Sequence, residues 1–103
     1  MEIIIMELVV NGGTARSQAI EAIRTARTGD FEKADQLLHD CDETLQAAHQ
    51  IQTDLIQKEA AGQHMEVQLL MVHAQDHLMN AMTVRDLAGE IIENMRKQAQ
   101  EKE

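Results

Sequence analysis

Apolar side chains recur along this chain at intervals of three and four, the rhythm of amphipathic helices. The cleanest row is Phe31, Ala34, Leu38, Cys41, Leu45, Ala48, Gln52 and Leu55, whose gaps alternate as interlocking helices require. An upstream row runs Ile5, Leu8, Val9, Gly12, Ala15, Ala19, Ile23 and Ala26. Its second half is small, so a neighbour can approach closely there. Gly12 and Gly13 each cost about 1 kcal/mol against alanine inside a helix, and a local kink is the simplest reading of the pair, ahead of backbone making room for a ligand.

Downstream, the main row is Val67, Leu70, Ala74, His77, Ala81, Val84, Ala88, Ile91 and Met95, joined by a second of Met71, Leu78, Met82 and Ile92. A third row, Leu69, His73, Asp76, Asn80, Thr83 and Leu87, is apolar at its ends and polar in the middle. Gly29 ends one helical pattern and Asp30 can cap the next, while Gly62 marks a second break. The expectation is one domain over residues 1–103 with helices at about 3–28, 31–60 and 65–100. Short connections make successive helices antiparallel, giving an all-α, up-down-up three-helix bundle. One helix of an isolated bundle needs a single apolar face. The apolar spread on the third predicts self-association through it.

Composition sharpens this picture. The 103 residues include no Trp, Tyr or Pro and one aromatic, Phe31, so the core must come from Leu, Ile, Val, Met and Ala. Those residues suit long helices packed on one another. The formal net charge of −9 and the scattered basic residues argue against nucleic acid and anionic membranes. A single cysteine, Cys41, excludes an internal disulfide and suits a reducing compartment. The start, MEIIIMELVV, lacks the basic residues of a signal peptide and the length of a membrane span. A cytoplasmic protein is expected.

Candidate chemistry lies in VHAQDHLM, residues 72–79. His73 and His77 stand four apart, on one side of a helix. The spacing is that of a helical zinc site, but no Glu follows the first His and no third ligand appears at a useful spacing. Asp76 only approximates the Glu of an H-x-x-E-H motif. Core packing is the plain alternative, stronger for His77 than for His73. Asp76 on a self-associating face would meet its own copies, and clustered carboxylates demand a proton or a hard cation. A third option is a nucleophilic imidazole at His73 that takes a phosphoryl group. With no nucleotide-binding motif present, that phosphate would come from another protein.

VHAQDHLMNAM (72–82) resembles the active-site segment of lactose/diacetylchitobiose (cellobiose)-type enzyme IIA components of the bacterial sugar phosphotransferase system. NGGTARSQA (11–19), ARTGDFEKAD (26–35) and AHQIQTDLIQKEAAG (48–62) agree with the same family in the same order. The resemblance implies a cytoplasmic phosphocarrier that assembles as a homotrimer. His73 would accept a phosphoryl group from the phosphorylated histidine-phosphocarrier protein. It would pass that group to a cysteine of enzyme IIB, and so serve sugar uptake through the membrane enzyme IIC. Asp76 would be the trimer-axis carboxylate associated with a divalent cation such as Mg2+, and no nucleotide or organic cofactor is implied. Gln75 and His77 would orient the imidazole or the phosphoryl group. The NGGTARS wording leans to the chitobiose branch, although the sugar itself is bound by the membrane partner. A non-catalytic helical adaptor and a zinc-dependent hydrolase using His73 and His77 remain the alternatives.

Overall fold

The structure, a computed structural model, describes residues 2–102. Met1 and Glu103, included in the expected domain, lie outside the described residues. Three helices account for nearly all the rest: α1 (Glu2–Arg27), α2 (Phe31–Ala60) and α3 (Leu69–Glu101), with no strand among the described residues. They form an elongated body of 59 × 20 × 18 Å. Among the described residues no helix is long and apolar enough to cross a membrane.

Local chemistry sets the two turns. Gly29 sits at φ +91 after α1, a left-handed conformation that favours glycine, and its N–H donates to the Ala26 carbonyl. Asp30 then caps α2 by accepting from the Lys33 N–H at 3.1 Å. At the end of α2, Gly62 lies at φ +92; its N–H reaches the Glu59 carbonyl and that of Gln63 reaches Lys58, both at 3.0 Å. This crossed pair is the Schellman arrangement.

Pairing across the bundle fixes direction. Asp35 meets Arg96, Asp42 meets Arg85 and Gln52 meets Gln75, so numbers rise on α2 as they fall on α3. The end of α1, the start of α2 and the end of α3 converge in a cluster of Ala22, Ala26, Ala34 and Ile92. α2 therefore runs against both neighbours. α1 packs along each partner, whereas α2 and α3 touch one another far less.

The core rows of α1 and α2 fall where their periodicity puts them. Ile5, Leu8, Ala15, Ala19 and Ala26 are buried on α1, and Ala34, Cys41, Leu45, Ala48 and Leu55 on α2. Each fully buried large side chain, such as Leu8, Leu78 or Ile92, contributes about 1.5–3 kcal/mol. Alanines that are wholly buried on all three helices let the axes come close.

Two expectations need correction. α3 begins at Leu69, not 65, because Gln68 is extended (φ −104, ψ 160) and offers no side-chain cap. Val67 consequently lies ahead of the helix and is exposed. The buried row of α3 is also rotated from the expected one. It comprises Met71, Ala74, Leu78, Ala81, Ala88 and Ile92, leaving Leu70 and Ile91 partly exposed and His77 at the margin.

The reason is Gly12. A Cβ there would lie 3.1 Å from the His77 carbonyl carbon and 3.2 Å from its oxygen, so α1 presses on the backbone of α3 at His77. That contact pushes the His77 ring to the edge of the seam. α1 runs unbroken through Gly12, and the space its missing side chain leaves is filled by the α3 backbone, not left for a ligand. Gly13 faces open space.

Candidate functional site

α3 presents its chemistry on the side turned away from α2. His73 and Asp76 are exposed, while His77, one turn beyond His73, is half-buried against α1. The two imidazoles stand edge to face with centroids 4.4 Å apart, and their Nε2 atoms approach to 3.1 Å. When both rings are neutral only one of these nitrogens carries the shared proton. With His77 as donor, its N–H engages the lone pair of His73 Nε2, which is free to attack only when that bond opens.

An open cavity of about 350 Å3 surrounds this pair, lined by Arg16 of α1 and by His73, Asp76, His77, Asn80, Thr83 and Val84 of α3. Thr83 turns its hydroxyl back to the Met79 carbonyl at 3.2 Å, so it is occupied within its own helix. His73 is the accessible nucleophile of the group. Its ring is exposed to solvent and borders an open cavity.

Gln75 lies elsewhere. It follows His73 by two positions, a rotation of about 200° around the helix. Its side chain bonds to Gln52 of α2, which also reaches the Met79 sulfur at 3.9 Å. The structure thus brings together His73, Asp76 and His77, and leaves Gln75 on the opposite flank.

Asp76 stands on the outer face of α3 as a lone carboxylate. Among the described residues no three His, Cys, Asp or Glu side chains gather in a way that could hold a metal. A single protomer therefore offers a cation one carboxylate at this cavity.

Two residues escaped the sequence reading. Arg16 entered only as part of a quoted motif. Its place at the site depends on how α1 and α3 register, which the Gly12 contact sets. Arg85 occupies the core row itself, in the series Met71, Ala74, Leu78, Ala81, Arg85, Ala88 and Ile92. It clasps Asp42 of α2 with two bonds, at 2.5 and 3.0 Å. That seven-residue spacing around one basic residue was a signal open to inspection.

Comparison with known proteins bears on the whole chain. Residues 3–96 match the family model described as PTS system, Lactose/Cellobiose specific IIA subunit. The chain is 58% identical over 93 residues to the lichenan-specific phosphotransferase enzyme IIA component of Bacillus subtilis, covering 90% of this chain and 84% of that one. It is 43% identical to the N,N'-diacetylchitobiose-specific EIIA component of Escherichia coli, over 90% of this chain and 80% of the relative. Identity therefore does not favour the chitobiose branch toward which NGGTARS leans.

Among solved structures, the cellobiose-specific enzyme IIA of Bacillus anthracis superposes with a TM-score of 0.93 at 44% identity, covering 96% of this chain and 91% of that one. The IIA(chitobiose)–HPr complex of Escherichia coli gives 0.83 at 41% identity, with 95% of each chain covered.

Proposed function

This chain belongs to the lactose/cellobiose-specific IIA subunit family of the phosphotransferase system, and from that premise we propose that it carries a phosphoryl group on His73. One observation supports the assignment above others: an exposed imidazole whose Nε2 lies 3.1 Å from the Nε2 of His77, beside an open cavity.

The donor is the phosphorylated histidine-phosphocarrier protein, a reading supported by the relative solved in complex with HPr. The His73 Nε2 lone pair attacks phosphorus as the nitrogen–phosphorus bond of the donor breaks, and the donor imidazole leaves with its electron pair. In the resting protein the His77 N–H occupies that lone pair, and it must move off as phosphorus arrives. Once phosphorus takes that pair, the same His77 N–H is released to bond a phosphoryl oxygen. In the second transfer a cysteine thiolate of enzyme IIB attacks, and the nitrogen–phosphorus bond on His73 gives way to a sulfur–phosphorus bond. The carrier so serves cytoplasmic phosphorylation of a disaccharide, of lactose or chitobiose/cellobiose type, entering through enzyme IIC.

The working form is a homotrimer built on the exposed face of α3, where Leu69, Val72 and Leu87 stand in water around Asp76 in the lone protomer. Cyclic three-fold contacts are heterologous, so one flank of α3 meets the other flank of the next copy. The flank bearing His73 would then face the one bearing Val72, Gln75 and Met79. Gln75 orients the phosphoryl group across that contact, not within its own chain. Three copies of Asp76 meet at the axis, where a divalent cation such as Mg2+ would offset their repulsion.

Incubation with phosphoenolpyruvate, enzyme I and the histidine-phosphocarrier protein should add one acid-labile phosphate to the intact mass. His73→Ala should remove it. A label that persists in this variant, or that maps to His77, refutes the assignment.

A further inference from the structure

We propose that Arg16 grips the phosphoryl group carried by His73, an inference that rests on the carrier function above. Phosphorylation adds up to about two negative charges to a site that already holds the Asp76 carboxylate, within a chain of formal net charge −9. Such a site needs a local cation. Arg16 is the one Lys or Arg among the residues lining the cavity of His73 and His77.

Three observations on Arg16 converge. First, it is unspent: among the described residues, ion pairs are made by Arg24, His39, Arg85 and Arg96, and none by Arg16. Second, its position is set by the tightest approach of α1 to α3. Gly12 lies against the His77 backbone, and Arg16 follows one helical turn later on the same side of α1. Third, helical side chains lean toward the N-terminus of their helix. A long side chain at position 16 therefore leans back toward the level of Gly12 and His77, and α1 is parallel to α3, so that direction leads toward His73.

Guanidinium chemistry suits the role. Its planar fork can donate two parallel N–H bonds to two phosphoryl oxygens, which a lysine ammonium cannot reproduce. His77 Nε2–H supplies a donor from the other side. The group is then held between α1 and α3 with its phosphorus exposed to the incoming thiolate. Arg16 touches the transferred group and belongs to the catalytic set.

The test compares wild type, Arg16→Gln and Arg16→Lys by phosphorylation rate with the phosphorylated carrier and by 31P NMR of the labelled protein against pH. Arg16→Gln should slow phosphorylation about tenfold or more, as expected for a lost charge-assisted bond. It should also raise the midpoint of the phosphoryl titration, because a nearby cation favours the dianion. Arg16→Lys should restore the midpoint more fully than the rate. The effect should persist in an Asp76→Asn background, which removes the carboxylate that Arg16 could otherwise merely neutralise. Circular dichroism guards against unfolding as the cause. Unchanged rate and midpoint in Arg16→Gln, with His73 labelled, overturn the role of Arg16 alone. Failure of the wild type to take phosphate overturns the carrier function, and this inference with it.

Discussion

Cys41 and His73 both carry atoms capable of nucleophilic attack, and their surroundings set them apart. Cys41 is fully buried, with its thiol donating to the Ala15 carbonyl at 3.1 Å. Burial pushes its pKa up to about 11, Asp42 adds to the rise, and Arg85 opposes it. At neutral pH the group is a thiol and inert. Because folding favours the protonated form, its contribution to stability is fully present below the ordinary value of 9.0 and is lost as pH rises through about 11. The denaturant midpoint should thus fall between those limits, and Cys41→Ala should flatten that part of the curve. His73, by contrast, is exposed and contributes little to the core. His73→Ala should alter unfolding free energy by no more than about 0.5 kcal/mol while abolishing phosphate acceptance. A large loss of stability in that variant would argue for a structural histidine.

At the scale of the helix, adjacent glycines with opposite surroundings make a direct comparison. Gly12→Ala forces a methyl against the rigid backbone at His77 and should destabilise by about 1–3 kcal/mol despite the better helix former. Gly13→Ala meets nothing within 4 Å and should stabilise by up to about 1 kcal/mol. Thermal unfolding of both variants checks the pair. Equal shifts of one sign would mean that α1 does not press on α3 at this point. Much of this level was legible beforehand. Gly29 with Asp30, and the regular row of α2, mark boundaries because turn chemistry and period agree there. α3 was harder: Met65 and Val67 continue the apolar rhythm into a stretch that is not helical, and Gln68 provides no recognisable cap. His73, Asp76 and His77 could be grouped from spacing within one helix. Arg16 could not, since its place depends on a contact between two helices that periodicity does not encode.

For the whole molecule, the proposed trimer would be built on the exposed face of α3. Asp76→Leu should keep or strengthen the trimer and remove any dependence on divalent cations, because three carboxylates no longer repel. Sedimentation with and without a chelator reads both effects. Dissociation to monomers, with cation still bound, would place Asp76 away from the axis. Arg85 and Arg96 bear on the protomer itself, clasping Asp42 and Asp35 where α2 and α3 otherwise have little in common. Both clasps are partly solvent-exposed, so each contributes on the order of 1 kcal/mol or less.

That uneven packing has a practical outcome. Since α1 forms the spine against which both other helices lie, the stretch from Ala61 to Gln68 bears little of the weight of the body; of its side chains only Met65 is even half-covered. Severing the chain there should yield an α1–α2 hairpin and a separate α3 peptide that recombine spontaneously in a test tube. Two inert fragments would then regain a working carrier on mixing, reporting through their reunion how firmly the groove along α1 recognises its missing strut.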